Sequence, residues 1–459
     1  MNSFTLEFDR ESRLPIYEQL YAYIADGIRS GRLIENERLP SKKALASHLG
    51  ISANTVETAY SMLCQEGYVQ SRPRSGYYVS RVELSQSVPV PLPETTSPKP
   101  RSYRYDFMTN TVDAQSFPFR TWAKLGKEVL YNGETLLSSG HCQGDEELRA
   151  VLCKYLREFR AVDCSPAQIV IGAGMEYLLM LLCRLLPGGA EFAVEEPGYT
   201  KTPAILEGCG RKLHYIPLDG DGMSSTALSK CGASVACITP SHQFPTGIVM
   251  PVGRRSELLK WASDAPGRYI IEDDYNSEFN FVGRPIPSLQ GMDSRRVIYI
   301  STFSRILAPS IRIAYMVLPP ELLHSVGDIL SSYSSTVSRF DQHTLANFIE
   351  GGYLNRHLNR MKTLYRRRRD ILIDALTPHA ERLGLTISGG NAGLHLLLSG
   401  NDEVIARILA KADAEEIRVP TLSDSFHSYE GKIDTLIFGY AGMSNEDIFS
   451  AINLLFYGI

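Results

Sequence analysis

The sequence predicts a multidomain chain. A small α+β module of three helices and a β-hairpin comes first, then a proline-rich linker. A large α/β domain follows, with a mainly parallel central sheet and a small C-terminal α/β subdomain. Three observations carry this prediction. The chain has 459 residues, more than one hydrophobic core ordinarily holds. Pro89, Pro91, Pro93, Pro98 and Pro100 crowd a stretch almost free of large hydrophobes, and such a stretch is extended and semi-rigid. Beyond it, short apolar runs alternate with helical segments, the pattern of a sheet wrapped by helices. The expected boundaries are 1–81 for the module, 82–103 for the linker and 104–459 for the large domain.

Composition narrows the class. Hydrophobic residues make up 44% and charged residues 21%, which excludes wholesale disorder. The longest apolar run, Tyr177 to Leu186, is interrupted by Arg184 and is short of the ~20 residues that span a membrane. No secretory leader is visible at the start. Eight cysteines are scattered without a C-x-x-C pair, so they read as small buried thiols in a reducing compartment, with no metal site. The expectation is a soluble, cytoplasmic protein without a membrane partner. A net charge of −4 does not by itself suggest nucleic acid.

The first helix is marked by Ile16, Leu20, Ile24 and Ile28, with Pro15 at its start and Gly31 past its end. Ser41 caps a second helix carrying Leu45 and Leu49 and stopped at Gly50. Ser52 caps a third, with Val56, Ala59, Tyr60 and Leu63 on one face. The turn Gly50-Ile51-Ser52 is that of a helix-turn-helix. Tyr68-Val69 and Tyr77-Tyr78-Val79 flank a basic tip of Arg72, Pro73, Arg74, Ser75 and Gly76, which makes a wing.

Charge is uneven along the chain. Residues 38–81 carry six lysines and arginines against two glutamates. Helix N-termini at Ser41 and Ser52 add phosphate-seeking N–H groups. A recognition helix reads the major groove from its first residues. The candidate DNA contacts are therefore Ser41, Lys42, Lys43, Ser52, Asn54, Thr55, Arg72, Arg74 and Gly76, and the partner is double-stranded operator DNA. On Gly31–Val69 (GRLIENERLPSKKALASHLGISANTVETAYSMLCQEGYV) the module resembles the winged helix of GntR-type repressors. Lys43 and Ala53 stand where that family usually has arginine. Arginine contacts guanine bidentately and alanine does not.

In the large domain, strands are expected at Ile169–Gly172, Glu191–Glu196, Ser234–Thr239, Tyr269–Asp274 and Val297–Thr302. Ligands in such sheets bind beyond the carboxyl ends of the strands, and those ends carry specific chemistry. Gly174, Met175 and Glu176 form a Gly-rich loop opening a helix. Tyr199 offers a stacking face. Asp273 can hold a proton on a ring nitrogen, with Tyr275 beside it. Ser304 and Arg312 offer a hydroxyl and a guanidinium to a phosphate. Together these features describe recognition of pyridoxal 5′-phosphate.

The segments Glu195–Tyr199 (EEPGY), Thr239–Gly247 (TPSHQFPTG), Ile271–Phe279 (IEDDYNSEF) and Ser301–Pro319 (STFSRILAPSIRIAYMVLP) resemble fold-type I aminotransferases over essentially residues 104–459. Behind a GntR-type winged helix, the whole looks like a MocR-type regulator. The resemblance implies a homodimer, often head-to-tail, that binds DNA and senses a small molecule, usually with bound pyridoxal phosphate. The implied fold is an α+β winged helix-turn-helix followed by an α/β aminotransferase-like domain.

One departure dominates. The family's Schiff-base lysine belongs directly after Ser304, and the chain has Arg305. A guanidinium stays protonated and is not a competent nucleophile. No lysine lies within ten residues of 305 on either side. Ser139 stands in place of the family's tyrosine, Glu176 in place of a glutamine, and Ile437 in place of the substrate-carboxylate arginine. The expectation is a degenerate domain, in which covalent pyridoxal phosphate and transaminase activity are both lost. Two outcomes stay open: the cofactor binds without a covalent bond, with Arg305 assisting Arg312, or the pocket senses another small, anionic effector. The second is the one taken. The rival reading is a working pyridoxal-phosphate enzyme with an accessory DNA-binding module. Arg366–Arg369 reads as a solvated basic stripe on a helix.

Overall fold

The computed structural model describes residues 6–10, 12–82, 101–131, 133–281, 287–428, 431 and 433–459. Most of the expected linker, residues 83–100, lies outside them. The chain divides into two compact units, Met1–Lys99 and Pro100–Ile459.

The first unit is built from α1 (Ile16–Arg29), α2 (Lys42–Leu49), α3 (Ala53–Gln65), β1 (Val69–Arg72) and β2 (Gly76–Val79). Leu20, Ile24 and Ile28 are buried against Leu45, Val56, Ala59, Tyr60 and Leu63, so the four-residue spacing does mark the core face of α1. Ser41 Oγ accepts the Ala44 N–H, and Ser52 Oγ accepts the Thr55 N–H. Gly50 ends α2 at φ 65°, a left-handed conformation that glycine adopts without steric cost. The Tyr60 hydroxyl donates to the Pro40 carbonyl at 2.9 Å, tying α3 to the approach of α2. β1 and β2 pair antiparallel from Val69↔Val79 to Arg72↔Gly76. The wing tip is therefore the three residues Pro73, Arg74 and Ser75. Replacing Ser52 with alanine removes one capped N–H, and α3 is expected to lose about 0.5–2 kcal/mol. An unchanged melting temperature of the winged unit in S52A would contradict this.

The second unit is organised around an eight-stranded sheet. Its strands lie in the order Ile169–Gly172, Ala314–Val317, Val297–Thr302, Tyr269–Asp274, Val235–Ile238, Phe192–Glu196, Leu213–Asp219 and Gly222–Met223. The five from Val297–Thr302 to Leu213–Asp219 run parallel. Ala314–Val317 runs against both its neighbours, and the short Gly222–Met223 strand runs against Leu213–Asp219. The sheet is covered on both faces, as parallel sheets require. Ile169 and Ile171 belong to one hydrophobic cluster and Val170 to another, the period-2 alternation of a strand between two layers. A 31-residue helix, Tyr353–Leu383, leads into a three-stranded antiparallel sheet of Thr386–Ser388, His395–Ser399 and Thr435–Gly439. Helices Asp402–Ala414 and Asn445–Phe456 follow the last two of these strands.

Register brings the strand ends together. Thr302 pairs with Ala314, and Ala314 with Gly172. Asp273 lies level with Ile300. One edge of the sheet thus gathers the loops after Gly172, Glu196, Ile238, Asp274 and Thr302.

Two expectations change. Arg366–Arg369 is not a uniformly solvated stripe. Arg368 is buried, pairs with Asp113 at 2.8 Å and donates to the Ala441 carbonyl. Arg369 donates to the Gly390 carbonyl and lies over the Phe281 ring. On this helix, faces are decided by tertiary partners rather than by charge. The cysteines are all free, but only Cys153, Cys164, Cys183 and Cys237 are buried, and Cys209 is exposed. No described helix is long and apolar enough to cross a membrane. Among the described residues no cluster suits a metal ion.

Candidate functional site

The sheet edge opens into an open-sided pocket of about 170 Å³. Met175, Glu176, Tyr199, Asp273, Tyr275, Ser304, Arg305 and Arg312 all line it. Gly174 caps the helix Met175–Leu185 at φ 96°, and a side chain there would collide with the Arg312 guanidinium. All nine expected ligand-pocket residues are therefore at one place. Asn110, Lys201, Thr239, Phe244, Thr302 and Pro309 complete the lining. Thr239, Phe244, Thr302 and Pro309 sit inside sequence segments already singled out, whereas nothing in the sequence marked Asn110.

At the inner end, Asp273 Oδ1 is buried and has no hydrogen-bond partner among the described residues. Burial, then the charges of Asp274 and Glu195, push its carboxyl up to about 8, with Arg305 opposing. These surroundings favour the neutral form of the Asp273 carboxyl. Glu195 behind it is pushed up by burial to about 7, opposed by hydrogen bonds from Thr239 and Gln243. The Tyr199 ring stands edge-on to Phe244, with centroids 5.8 Å apart. The Tyr275 hydroxyl lies 3.1 Å from His242 Nδ1. Burial and the neighbouring His395 hold His242 down at about 3, so the surroundings favour the neutral imidazole.

At the outer end, the Arg312 guanidinium donates to Glu176 Oε2 at 2.6 Å and to the Ala173 carbonyl at 3.2 Å. Lys201 Nζ is 4.0 Å from Glu176 Oε1. Burial acts to raise the Glu176 carboxyl, but the Arg312 hydrogen bond, its own backbone N–H and the Arg312 and Lys201 charges hold it below the usual carboxylate range. Thr302 Oγ1 donates to Ser304 Oγ at 2.9 Å. Arg305 lines the same pocket and donates to the Thr109 carbonyl. Its charge has no carboxylate partner at ion-pair distance among the described residues. Lys201 is the one lysine in the lining.

The candidate DNA contacts are all in the first unit. Ser41, Lys43, Ser52, Asn54, Arg72 and Arg74 are exposed, and Lys42, Thr55 and Gly76 are half-buried. The structure divides the basic residues into two kinds. Lys42 is held by Glu57 at 2.6 Å. Arg72 donates to Asn36 Oδ1 at 2.8 Å and lies over the Tyr78 ring. Lys43 and Arg74 have no partner among the described residues.

Comparison with known proteins decides the family. Residues 16–79 match the family of bacterial regulatory proteins of the gntR type, and residues 106–430 match aminotransferase class I and II. The HTH-type transcriptional regulator YdeL of Bacillus subtilis is 38% identical, covering 97% of both chains. The probable rhizopine catabolism regulatory protein MocR of Rhizobium meliloti is 34% identical, covering 98% of this chain and 95% of its own. The chain belongs to the MocR-like transcriptional regulators. Its aminotransferase-like domain is also similar to the crystal structure of an archaeal alanine:glyoxylate aminotransferase, at a TM-score of 0.69 and 25% identity over 78% of this chain and 90% of that one. In this MocR-like chain, an N-terminal DNA-binding module is thus joined to an aminotransferase-type fold whose pocket lies where the sheet strands end.

Proposed function

We propose that the chain is a dimeric, cytoplasmic regulator that binds operator DNA through the winged unit. In this reading the pocket senses a small anionic effector and forms no covalent bond to pyridoxal phosphate. The effector acts by binding with different free energies to two arrangements of the paired winged units, the condition for any ligand to shift an equilibrium. The expected domain division is the one this requires: a module over 1–81, a linker over 82–103 and a sensing domain over 104–459.

The observation that carries the reading is Arg305. It occupies the pocket wall directly after Ser304, where the family resemblance places a lysine, and it brings a guanidinium with no ion-pair partner among the described residues. Pyridoxal phosphate fits only in part. The unpartnered Asp273 Oδ1 suits a ring nitrogen. Arg312, the cation expected to hold a phosphate, is already bound by Glu176. Residue 305 offers no amine. The residues present do not fit a covalently anchored, phosphate-held cofactor.

Borohydride reduction of the full-length protein with pyridoxal phosphate, followed by peptide mass spectrometry, tests this. The expected result is no adduct in the pocket of the wild type and an adduct at residue 305 in Arg305→Lys. An adduct on Lys201 of the wild type would overturn the proposal and favour the enzyme reading, since Lys201 is the lining amine.

A further inference from the structure

Resting on the reading of the pocket as a non-covalent site, we infer that Glu176 is a tethered anion that fills the place of a ligand phosphate. The pocket thereby selects small carboxylates that carry no phosphate group.

Three features converge on Glu176. First, its carboxylate lies between two cations, 2.6 Å from Arg312 Nη2 and 4.0 Å from Lys201 Nζ. Second, the same Arg312 nitrogen also donates to the Ala173 carbonyl at 3.2 Å. Gly174 is what allows this approach, because a Cβ at that position would overlap the guanidinium. Third, Glu176 stands in the first turn of the helix Met175–Leu185, where the partial positive charge of a helix end favours an anion. Each of these attractions would serve a phosphate, and a side chain of the protein already uses all of them. An incoming dianion would have to expel the Glu176 carboxylate or sit beside it, against like-charge repulsion.

Arg305 is left with a different role. It lines the same pocket and lacks a carboxylate partner among the described residues. A planar guanidinium fork matches a carboxylate bidentately. The anion the pocket can still accept is therefore a carboxylate on Arg305.

The test uses full-length protein and aldehyde-free probes. Calorimetry is run with pyridoxine 5′-phosphate and pyridoxine on wild type, Glu176→Gln and Glu176→Ala. Wild type is expected to show no preference for the phosphorylated probe. In either variant the preference should shift toward it by about tenfold or more, as Arg312 and Lys201 are released. A wild type that prefers the phosphorylated probe, or a preference unchanged in both variants, overturns the phosphate exclusion. In a second arm, a panel of pyridine carboxylates and short aliphatic mono- and dicarboxylates is screened by thermal shift. At least one should stabilise the wild type and lose that effect in Arg305→Met, whereas no stabiliser, or one indifferent to R305M, overturns the carboxylate assignment. These readouts are separate from adduct trapping. An adduct on Lys201 sinks the non-covalent reading, and an unshifted phosphate preference without any adduct sinks this inference alone.

Discussion

Arg160→Met is expected to destabilise the second unit by about 3–5 kcal/mol. Arg160 ends the helix Glu146–Arg160, and its Nε–H donates to Asp274 Oδ2 at 2.7 Å, with both side chains almost wholly buried. Its Nη2 donates to Ser241 Oγ at 2.8 Å. Among the described residues Asp274 has one further side-chain partner, the Tyr299 hydroxyl at 2.6 Å, and its Oδ1 has none. Methionine fills most of the volume but leaves an unpaired carboxylate in the interior, and that is the costly event. The double variant R160M/D274N should recover a large part of the loss, because it removes the orphaned charge. Guanidinium unfolding of the large unit checks both. A loss below about 1 kcal/mol in R160M would mean that the pair behaves as a surface ion pair. The effect reaches the pocket as well, since Asp274 follows Asp273 on the same strand.

Lys43→Ala combined with Arg74→Asn is expected to lower the salt dependence of operator binding by about 1.8 per winged unit, or about 0.9 for each lost phosphate contact. Affinity near physiological salt should fall by about one to two orders of magnitude. Asparagine is chosen at residue 74 because the backbone there is left-handed, at φ 61°, and asparagine tolerates that conformation. Lys42→Ala should do less, since Lys42 is already committed to Glu57. Measuring log Kd against log salt for the three proteins decides the point. An unchanged slope in the double variant would remove Lys43 and Arg74 from the interface.

Much of the fold is legible in the sequence because its signals are local. Ser41, Gly50 and Ser52 set helix ends through contacts within three or four residues. The apolar runs ending at Asp274 and Thr302 mark strands by composition alone. What the sequence hides is direction and long-range pairing. The segment Ala314–Val317 is apolar like its neighbours, yet nothing in its composition says that it runs antiparallel between two strands. The stripe Arg366–Arg369 looks uniform until Asp113, more than 250 positions away, captures Arg368. The pocket shows both cases. Its residues were visible as motifs, but the bond from Arg312 to Glu176 spans 136 positions, and it changes what the site can hold.

The buried Tyr60, bonded to Pro40, bears on how information leaves the pocket. The winged unit has its own core, with Leu20, Ile24, Val56, Ala59, Tyr60 and Leu63 fully buried. Such a close-packed core resists internal deformation. In the proposed regulator, an effector would therefore change where the reading head is held, but not the letters it reads. The preferred half-site should be the same with and without effector, and regulation should appear only in the spacing and occupancy of paired half-sites.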